Sequence, residues 1–276
     1  MAVAHPPTDA WPQLHAFWIT VIVTGGAGGL GKAIATGYLE AGANVAICDI
    51  HTERLDATRA EFASSASGRV LAVKTDITDE NAVQQLVSDV VSEFGRLDIL
   101  VNNAGMADTF DPVGSLDKKH WDTVLNLNLT GSFLCMKAAV QAMEKQSPSG
   151  GTIIQIGSIA SLSGVEAGVA YTDVKVSKHG VAALVKSTAG FYGPKSIYAI
   201  GLMLGAMPTT NIADGAKALG NWNMEAFMQS SAASFKPESA VDVKDVAKYC
   251  VFLADKGVAS TATGSCITFS KNTPRA

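Results

Sequence analysis

The fold of this chain is decided by the stretch Val21-Ile22-Val23-Thr24-Gly25-Gly26-Ala27-Gly28-Gly29-Leu30-Gly31-Lys32-Ala33-Ile34-Ala35. An apolar run breaks into glycines and then resumes with helical spacing, which predicts a strand, a tight turn and a helix. Glycines let the backbone turn sharply and approach a diphosphate, and the following helix presents unpaired N–H groups to that anion. The stretch therefore predicts a nucleotide site, although a glycine-rich turn alone is weak evidence.

A second apolar run, from Asn44 to Asp49, strengthens this prediction because it indicates a buried parallel strand that ends in a carboxylate. Asp49 lies 20 residues beyond Gly29, a separation at which such folds bind the adenosine ribose hydroxyls. A carboxylate there repels the additional phosphate of NADP, and no Arg or Lys lies within the glycine-rich turn or immediately after Asp49. NAD(H) is therefore favoured over NADP(H). The alternative is that Asp49 only caps the next helix.

Bulk composition limits the classes of protein to consider. The chain has 276 residues, of which 47% are hydrophobic and 17% charged, and this predicts one large α/β domain. The net charge of −4 and the lack of a basic cluster argue against a nucleic-acid partner. Four widely spaced cysteines predict reduced thiols and a cytoplasmic location. The five scattered histidines form no ligand pair, so no metal site is expected.

Apolar strand-like runs alternate with helical patterns, which predicts a doubly wound parallel sheet, or Rossmann fold, with helices on both faces. We expect an N-terminal arm at 1–18 without the features of a secretory signal, a catalytic domain at 19–270 and a tail at 271–276. No apolar segment reaches the roughly 18 residues that a membrane span requires. The variable segment 203–235 is rich in Met and aromatic residues, so it either covers an apolar substrate or packs as ordinary core. The predicted strands are 19–23, 44–48, 70–74, 99–102, 152–156 and 198–203.

Four motifs occur together in one order: Thr24-Gly25-x-x-x-Gly29-x-Gly31, Asp76, Asn102-Asn103-Ala104-Gly105 and Tyr171-x-x-x-Lys175. With these motifs the chain resembles the short-chain dehydrogenase/reductase family from about Ile19 to about Ile267. The resemblance implies that Asp76 contacts the adenine amino group and that Asn103 to Gly105 lines the cofactor, although Asn103 could instead be a loop cap. The residues that it implies for NAD binding are Gly25, Gly29, Leu30, Gly31, Asp49, Ile50, Asp76, Ile77, Asn103, Ala104, Gly105, Tyr171, Lys175 and Thr209, with Thr210 as the alternative to Thr209.

Hydride transfer between a carbon and nicotinamide requires a group that protonates the developing alkoxide, or removes the alcohol proton in reverse. Tyr171 is the candidate, and Lys175, one helical turn further on, would lower the phenol pKa. By resemblance, Lys175 would also hold the nicotinamide ribose, Ser158 would bind the substrate oxygen, and Asn128 would order a proton-relay water. These roles predict an oxidoreductase that interconverts a secondary alcohol and a ketone on a moderately apolar small molecule, using NAD(H).

The active-site helix departs from the family pattern. Members with a similar helix have three residues between the tyrosine and a Lys-His-Gly-Val sequence. In this chain six residues separate Tyr171 from the Lys-His-Gly-Val sequence that begins at Lys178, as if three residues had been inserted. On an ideal helix Lys175 and Lys178 both face the side of Tyr171, with rises of about 6 and 10.5 Å. If Lys178 is the anchored lysine, Val174 takes the place four residues before it. The alternative function is then a relative that binds a dinucleotide but acts as a cyclase, isomerase or ligand-binding protein.

Self-association is expected by analogy with the family. Helices that match residues 120–143 and 171–192 commonly form four-helix interfaces between subunits, which favours a homotetramer or a dimer. The alternative is that the apolar stripes of these helices are buried within one subunit.

Overall fold

Seven parallel strands form one sheet in the computed structural model, which describes residues 19–65, 69–162, 172–229 and 237–271. Their order across the sheet is β3-β2-β1-β4-β5-β6-β7. This order and the helices on both faces confirm the predicted doubly wound α/β fold. The strands are β1 (Thr20–Thr24), β2 (Asn44–Asp49), β3 (Val70–Lys74), β4 (Ile99–Asn102), β5 (Gly151–Ser158), β6 (Ile197–Leu204) and β7 (Cys266–Phe269).

Helices connect the strands and cover the sheet. Asp79 begins α3 by accepting hydrogen bonds from the backbone N–H groups of Asn81 and Ala82, and Gly95 ends this helix in the left-handed region at φ 85°. In the described part of the chain the α-helices are α1 (Gly29–Glu40), α2 (Thr52–Ser65), α3 (Glu80–Phe94), α4 (Lys118–Leu125), α5 (Ser132–Lys145), α6 (Thr172–Tyr192), α7 (Ala213–Leu219), α8 (Met224–Gln229), α9 (Val243–Phe252) and α10 (Lys256–Ala262).

The sheet is apolar on both faces because helices bury both of them. One core contains Ile34 of α1 and Val246 of α9, and the other contains Leu86 of α3, Met143 of α5 and Val185 of α6. All residues of β1, β2 and β4 are buried, which accounts for the continuous apolar runs that predicted these strands. Within the described ranges, none of the helices is long and apolar enough to cross a membrane.

The position of the site follows from the point in the sheet at which the strand order reverses. β1 pairs with β2 on one side and with β4 on the other, so the crossovers on the two sides of β1 run in opposite directions. A crevice forms outside the carboxyl ends of strands at such a point. β5 continues two residues beyond the predicted end at Ile156, which brings Ser158 to the last position of the strand at that same edge.

Candidate active site

A cavity of about 1200 Å³ opens at the carboxyl edge of the sheet. It collects side chains that are far apart in the sequence, because every strand of the sheet ends at this edge. Gly29, Thr209 and Asn128 are not in its lining, and Tyr171 lies outside the described residues. The predicted site residues that line the cavity are Gly25, Leu30, Gly31, Asp49, Ile50, Asp76, Ile77, Asn103, Ala104, Gly105, Ser158 and Lys175.

The glycine-rich turn between β1 and α1 fits a diphosphate. Gly25 has φ 62°, and a Cβ at Gly31 would lie 2.2 Å from the carbonyl oxygen of Gly25. Gly28 is the N-cap of α1 and has no side chain to bond the first-turn N–H groups of this helix. Those groups and the positive end of the helix dipole are therefore available to an anion.

Asn103, directly after β4, is hydrogen-bonded to the end of β1 beside this turn. Its backbone N–H donates to Thr24 Oγ1 at 2.9 Å, and its side-chain Nδ2 donates to the carbonyl oxygen of Thr24 at 2.9 Å. The backbone N–H of Ala104 also donates to Thr24 Oγ1, at 3.0 Å. Asn103 therefore has a structural role in addition to lining the cavity.

Two carboxylates stand at the end of the cavity next to β2 and β3. Asp49 is 9% exposed, and its Oδ1 accepts a hydrogen bond from the backbone N–H of His51 at 3.0 Å. Asp76 Oδ1 accepts from the backbone N–H and the hydroxyl of Thr78, at 2.9 and 2.7 Å. These bonds fix the carboxylates within their own turns, so both are oriented before any ligand arrives.

Asn128 lies in a π-helical turn, residues 126–131, that joins α4 to α5. It is 1% exposed, and its Oδ1 accepts from the backbone N–H of Met106 at 2.9 Å. Its Nδ2 donates to the carbonyl oxygen of Met106 at 3.0 Å and to Ser177 Oγ at 3.3 Å. π-helical turns are rare and occur mostly at functional sites. Asn128 thus positions the loop after β4 and holds it against α6.

Ser158 brings a hydroxyl to the cavity from the end of β5. Its Oγ accepts a hydrogen bond from the backbone N–H of Ala160 at 3.1 Å, and its own N–H donates to Ser161 Oγ at 3.2 Å. These two bonds form a capping box at the start of a short 3-10 helix, Ile159–Ser161. A hydroxyl that accepts one hydrogen bond can still donate its proton, so Ser158 can donate to a substrate oxygen.

The lysine most deeply placed in the site is Lys178, which is 6% exposed. Its Nζ donates to the carbonyl oxygen of Ile156 at 3.3 Å. A Cβ at Gly105 would lie 3.7 Å from this Nζ and 3.0 Å from Asn128 Oδ1, so the three residues converge. Burial lowers the pKa of the Lys178 ammonium to about 8.

Lys175 also lines the cavity, and it is only half-buried. Between the two lysines, Val174 lies four residues before Lys178, is 1% exposed and packs in a small cluster with Met106 and Val124. An apolar side chain therefore occupies the position one helical turn before the buried lysine.

The segment after β6 covers the glycine-rich turn. A Cβ at Gly29 would lie 2.4 Å from Asn211 Oδ1, and the backbone N–H of Ala107 donates to the carbonyl oxygen of Ile212 at 3.2 Å. Thr210 lines the cavity, whereas Thr209, the threonine chosen from the sequence, is exposed and lies outside the lining. The Thr210 hydroxyl donates to the carbonyl oxygen of Met207 at 3.0 Å, a local turn that orients it.

Part of the cavity lining is apolar. The lining residue Phe110 belongs to a cluster of three aromatic rings, with the centroids of Phe110 and Trp222 5.2 Å apart and those of Phe110 and Phe227 5.0 Å apart. Apolar side chains that line the cavity include Met106, Phe110, Trp121, Val174, Met207, Ile212 and Leu219.

Several cavity residues were not predicted from the sequence, namely Arg54, Met106, Asn211, Ile212 and Asp214. Each lies inside or beside a predicted helix or loop without a motif of its own, so no local signal marks it. Their positions depend on how α2 and α7 pack over the turn.

Comparison with known proteins agrees with this geometry. The short chain dehydrogenase family model matches residues 19–218. The short chain dehydrogenase/reductase dpchG of Colletotrichum higginsianum is 43% identical over 90% of this chain and 91% of its own length. The 3beta-hydroxysteroid dehydrogenase 2 of Eggerthella lenta is 34% identical over 64% of this chain and 66% of its own length. The crystal structure of levodione reductase superimposes with a TM-score of 0.79 at 25% identity, covering 94% of this chain and 98% of that one. Since the family model covers most of the chain and a close relative matches nearly all of it, this protein belongs to the short-chain dehydrogenase/reductase family.

Proposed function

We propose that this chain is an oxidoreductase that interconverts a secondary alcohol and a ketone on a moderately apolar small molecule, with NAD(H) as the cofactor. The observation that carries the proposal is one cavity with a glycine cradle and Asp49 at one end and Ser158 and two lysines at the other. When bound there, the nicotinamide dinucleotide supplies or accepts the hydride.

The adenosine end of the cofactor would be held by Asp49 and Asp76, and its diphosphate by the glycine-rich turn. Asp49 supports the choice of NAD(H), because its carboxylate accepts hydrogen bonds from ribose hydroxyls and repels a 2′-phosphate. Asn103 to Gly105 and Thr210 would line the path toward the nicotinamide.

At the other end, Tyr171 would exchange the proton of the substrate hydroxyl. Lys175, one helical turn beyond Tyr171, would lower the phenol pKa, since a nearby ammonium favours phenolate. The deeper Lys178, beside Gly105, would hold the nicotinamide ribose. Ser158 would donate to the substrate oxygen and stabilise its developing charge. Asn128 would act by fixing the loop at Met106 and by ordering relay water near Lys178.

Replacement of Tyr171 by Phe tests this proposal directly. Turnover should be nearly abolished, while NADH binding, followed by fluorescence, stays intact. Retained turnover would remove Tyr171 from the mechanism.

The apolar part of the cavity lining supports an alicyclic or polycyclic alcohol as substrate, because such a pocket orients a ligand through few polar groups. The name of the relative from Eggerthella lenta, a 3beta-hydroxysteroid dehydrogenase, is consistent with this class. A panel of hydroxysteroids and cyclic alcohols should give larger kcat/KM values than short linear alcohols.

A second candidate function is favoured by the buried Val174 four residues before the buried Lys178. If that position is the one that must carry the proton donor, the chain binds a dinucleotide without ordinary redox turnover, as a cyclase, isomerase or ligand-binding protein. Absorbance of reduced nicotinamide across alcohols and ketones separates the two candidates. Deletion of residues 173–175 places Tyr171 four residues before Lys178, and under the second candidate this deletion should create turnover.

Association into a homotetramer, or a dimer, is also part of the proposal. An apolar surface hollow between α5 and α6 is lined by Leu129, Phe133, Gly180, Ala183 and Leu184, and Phe133 is 45% exposed. A second copy would bury this hollow. Light scattering should show a smaller species for Phe133→Glu than for the unmodified chain.

A reducing, cytoplasmic location is supported by the thiols. Cys48, Cys135 and Cys250 are buried and free, and burial raises the pKa of the Cys48 thiol to about 12. Such thiols resist oxidation and are common in proteins of reducing compartments. Labelling of the native protein with a thiol reagent should leave these three cysteines unmodified.

A further inference from the structure

The loop after β4 holds an aromatic residue in a backbone conformation that favours glycine. Phe110 has φ 63°, in the left-handed region, where a bulky side chain is disfavoured. Its backbone N–H donates to Oδ1 of the fully buried Asp108 at 2.9 Å. Such conformations persist where the surrounding structure holds them, and they are concentrated at binding sites. Because Phe110 also lines the cavity, the position of its ring is a property of the site.

The ring of Phe110 packs against α8 and the residues before it. Its centroid lies 5.2 Å from that of Trp222 and 5.0 Å from that of Phe227, and both contacts are edge-to-face. Ala226 belongs to the same buried cluster. Phe110 is 9% exposed, so most of its surface is covered by these neighbours and a small part faces the cavity. A shift of α8 would therefore change the shape of this part of the lining.

Asp111, the next residue, is bonded to each segment that meets here. Its Oδ1 accepts from Asn223 Nδ2 at 3.0 Å, across 112 positions of sequence, and its Oδ2 accepts from Thr109 Oγ1 at 2.6 Å. Its carbonyl oxygen accepts from the hydroxyl of Thr172, the first residue of α6, at 3.3 Å. Asp111 therefore joins the loop after β4 to the beginnings of α6 and α8.

The orientation of the Asn223 amide is fixed by α8. Its Oδ1 accepts from the backbone N–H of Ala226 at 3.0 Å, so its Nδ2 is the group that faces Asp111. The backbone N–H of Asn223 also donates to the carbonyl oxygen of Thr109 at 2.9 Å. The contact thus requires an acceptor at position 111 and a donor at position 223, and hydrogen bonds to a charged acceptor are stronger than neutral ones.

We propose that Asp111 is a positioning residue that fixes the ring of Phe110 through Asn223, and that this ring selects bulky cyclic substrates by packing against their hydrocarbon surface. The inference rests on the alcohol–ketone chemistry of the proposed function and deepens it, because it names residues that determine substrate size. A ring fixed from behind is a rigid apolar surface that loses little conformational entropy when a polycyclic substrate binds. A small ketone covers little of this surface and gains little from its position.

Titration of the NAD⁺-saturated protein with a 3-oxosteroid and with cyclohexanone tests the inference, because both probes are cyclic ketones that differ in the extent of the ring system. No hydride passes between an oxidised cofactor and a ketone, so the titration, followed by ligand NMR, measures binding alone. Asp111→Asn places two amide NH₂ groups against each other, and Asn223→Asp places two carboxylates together. Each should weaken steroid binding about tenfold and cyclohexanone binding by less than about twofold.

The exchanged pair, Asp111→Asn with Asn223→Asp, again places a donor opposite an acceptor, so steroid affinity should return to within about threefold of wild type. Phe110→Leu should lose about tenfold in steroid affinity, and Asp111→Asn should add less than about twofold to this loss, because the ring to be positioned is gone. The matched control is Asp117→Asn, an exposed aspartate of the same loop that accepts from the backbone N–H of Lys119 at 2.7 Å, and both affinities should stay unchanged.

The inference is overturned by equal losses for the two ketones, by full steroid affinity in Asp111→Asn, or by a folded exchanged pair that recovers nothing. A wild-type protein that binds NAD⁺ but binds the steroid no more tightly than cyclohexanone overturns it as well. If thermal melting shows that Asp111→Asn does not fold, Asn223→Ser gives the same test, because serine still caps α8 but does not reach Asp111. A wild-type protein that binds neither NAD⁺ nor NADH contradicts the proposed function itself, which is a different result.

Discussion

The two ends of the cavity are built in different ways. At the end proposed for adenosine are backbone N–H groups of α1 and two carboxylates, and each carboxylate is fixed by bonds within its own turn. At the end proposed for nicotinamide, Ser158, Asn128 and the two lysines come from three separate elements that must pack correctly on each other. The first end depends on local geometry, and the second depends on the register of α6.

The register of α6 decides which of its lysines is buried in the site. The buried network of Asn128, Ser177 and Lys178 fixes the helix from Val174 onward. We therefore expect a change of length before Val174 to alter the position of the proton donor and not the shape of the glycine-rich turn.

The largest effect is expected from breaking the adenosine end at Gly31. In Gly31→Val the new Cβ would lie 2.2 Å from the carbonyl oxygen of Gly25 and 2.6 Å from Asn103 Nδ2, so the turn cannot keep its shape. NADH binding, measured by fluorescence, should be lost. Gly190→Ala is the control, because a Cβ there meets no atom within 4 Å. Normal NADH affinity in Gly31→Val would contradict the assigned cradle.

At the nicotinamide end, the two lysines should give different losses. Lys178→Met should weaken NADH binding about tenfold or more, because the buried ammonium is proposed to contact the nicotinamide ribose. Lys175→Met should instead lower kcat about a hundredfold and move the pH profile for alcohol oxidation to higher pH, since the phenol pKa rises without the ammonium. Separate measurement of kcat, of the Kd for NADH and of the pH profile checks that the two lysines have these different roles. The reverse pattern would exchange the roles of the two lysines.

The burial of Lys178 also predicts a pH dependence of stability. Its pKa is about 8 in the folded chain and 10.5 in the unfolded chain, so the unfolded chain binds more protons between these values. Below pH 8 folding bears the full cost of burying the ammonium, and this cost disappears as the pH rises toward 10.5. The difference in unfolding free energy between Lys178→Met and wild type should therefore change by roughly 2 to 3 kcal/mol in favour of wild type between pH 7 and pH 10. Urea unfolding of the cofactor-free proteins measures it, with Lys175→Met as the control, and a constant difference would mean that Lys178 is not buried.

The smallest effect is expected from the threonines after β6. Thr210 lines the cavity and Thr209 is exposed, so Thr210→Val should weaken NADH binding about two- to fivefold while Thr209→Val leaves it unchanged. Equal effects of the two substitutions would show that this segment moves when the cofactor binds.

Much of the fold could be predicted from local patterns. β3 and β4 begin and end at the predicted residues, and β2 extends the predicted strand by one residue, to Asp49. The pairing of Asn128 with Met106 could not be predicted, because neither residue has a motif that identifies the other. The same holds for Arg54 and Asp214, which are 160 positions apart in the sequence.

By itself the sequence determined the glycine cradle, the strands and the carboxylates at the strand ends, since these depend on backbone conformation and on apolar spacing over a few residues. Only the tertiary structure decided that Lys178 is the buried lysine, that Thr210 rather than Thr209 faces the cavity, and that Arg54 reaches Gly28. Those positions depend on how α2, α6 and α7 pack against distant segments, and the side chains that fix this packing carry no local signature.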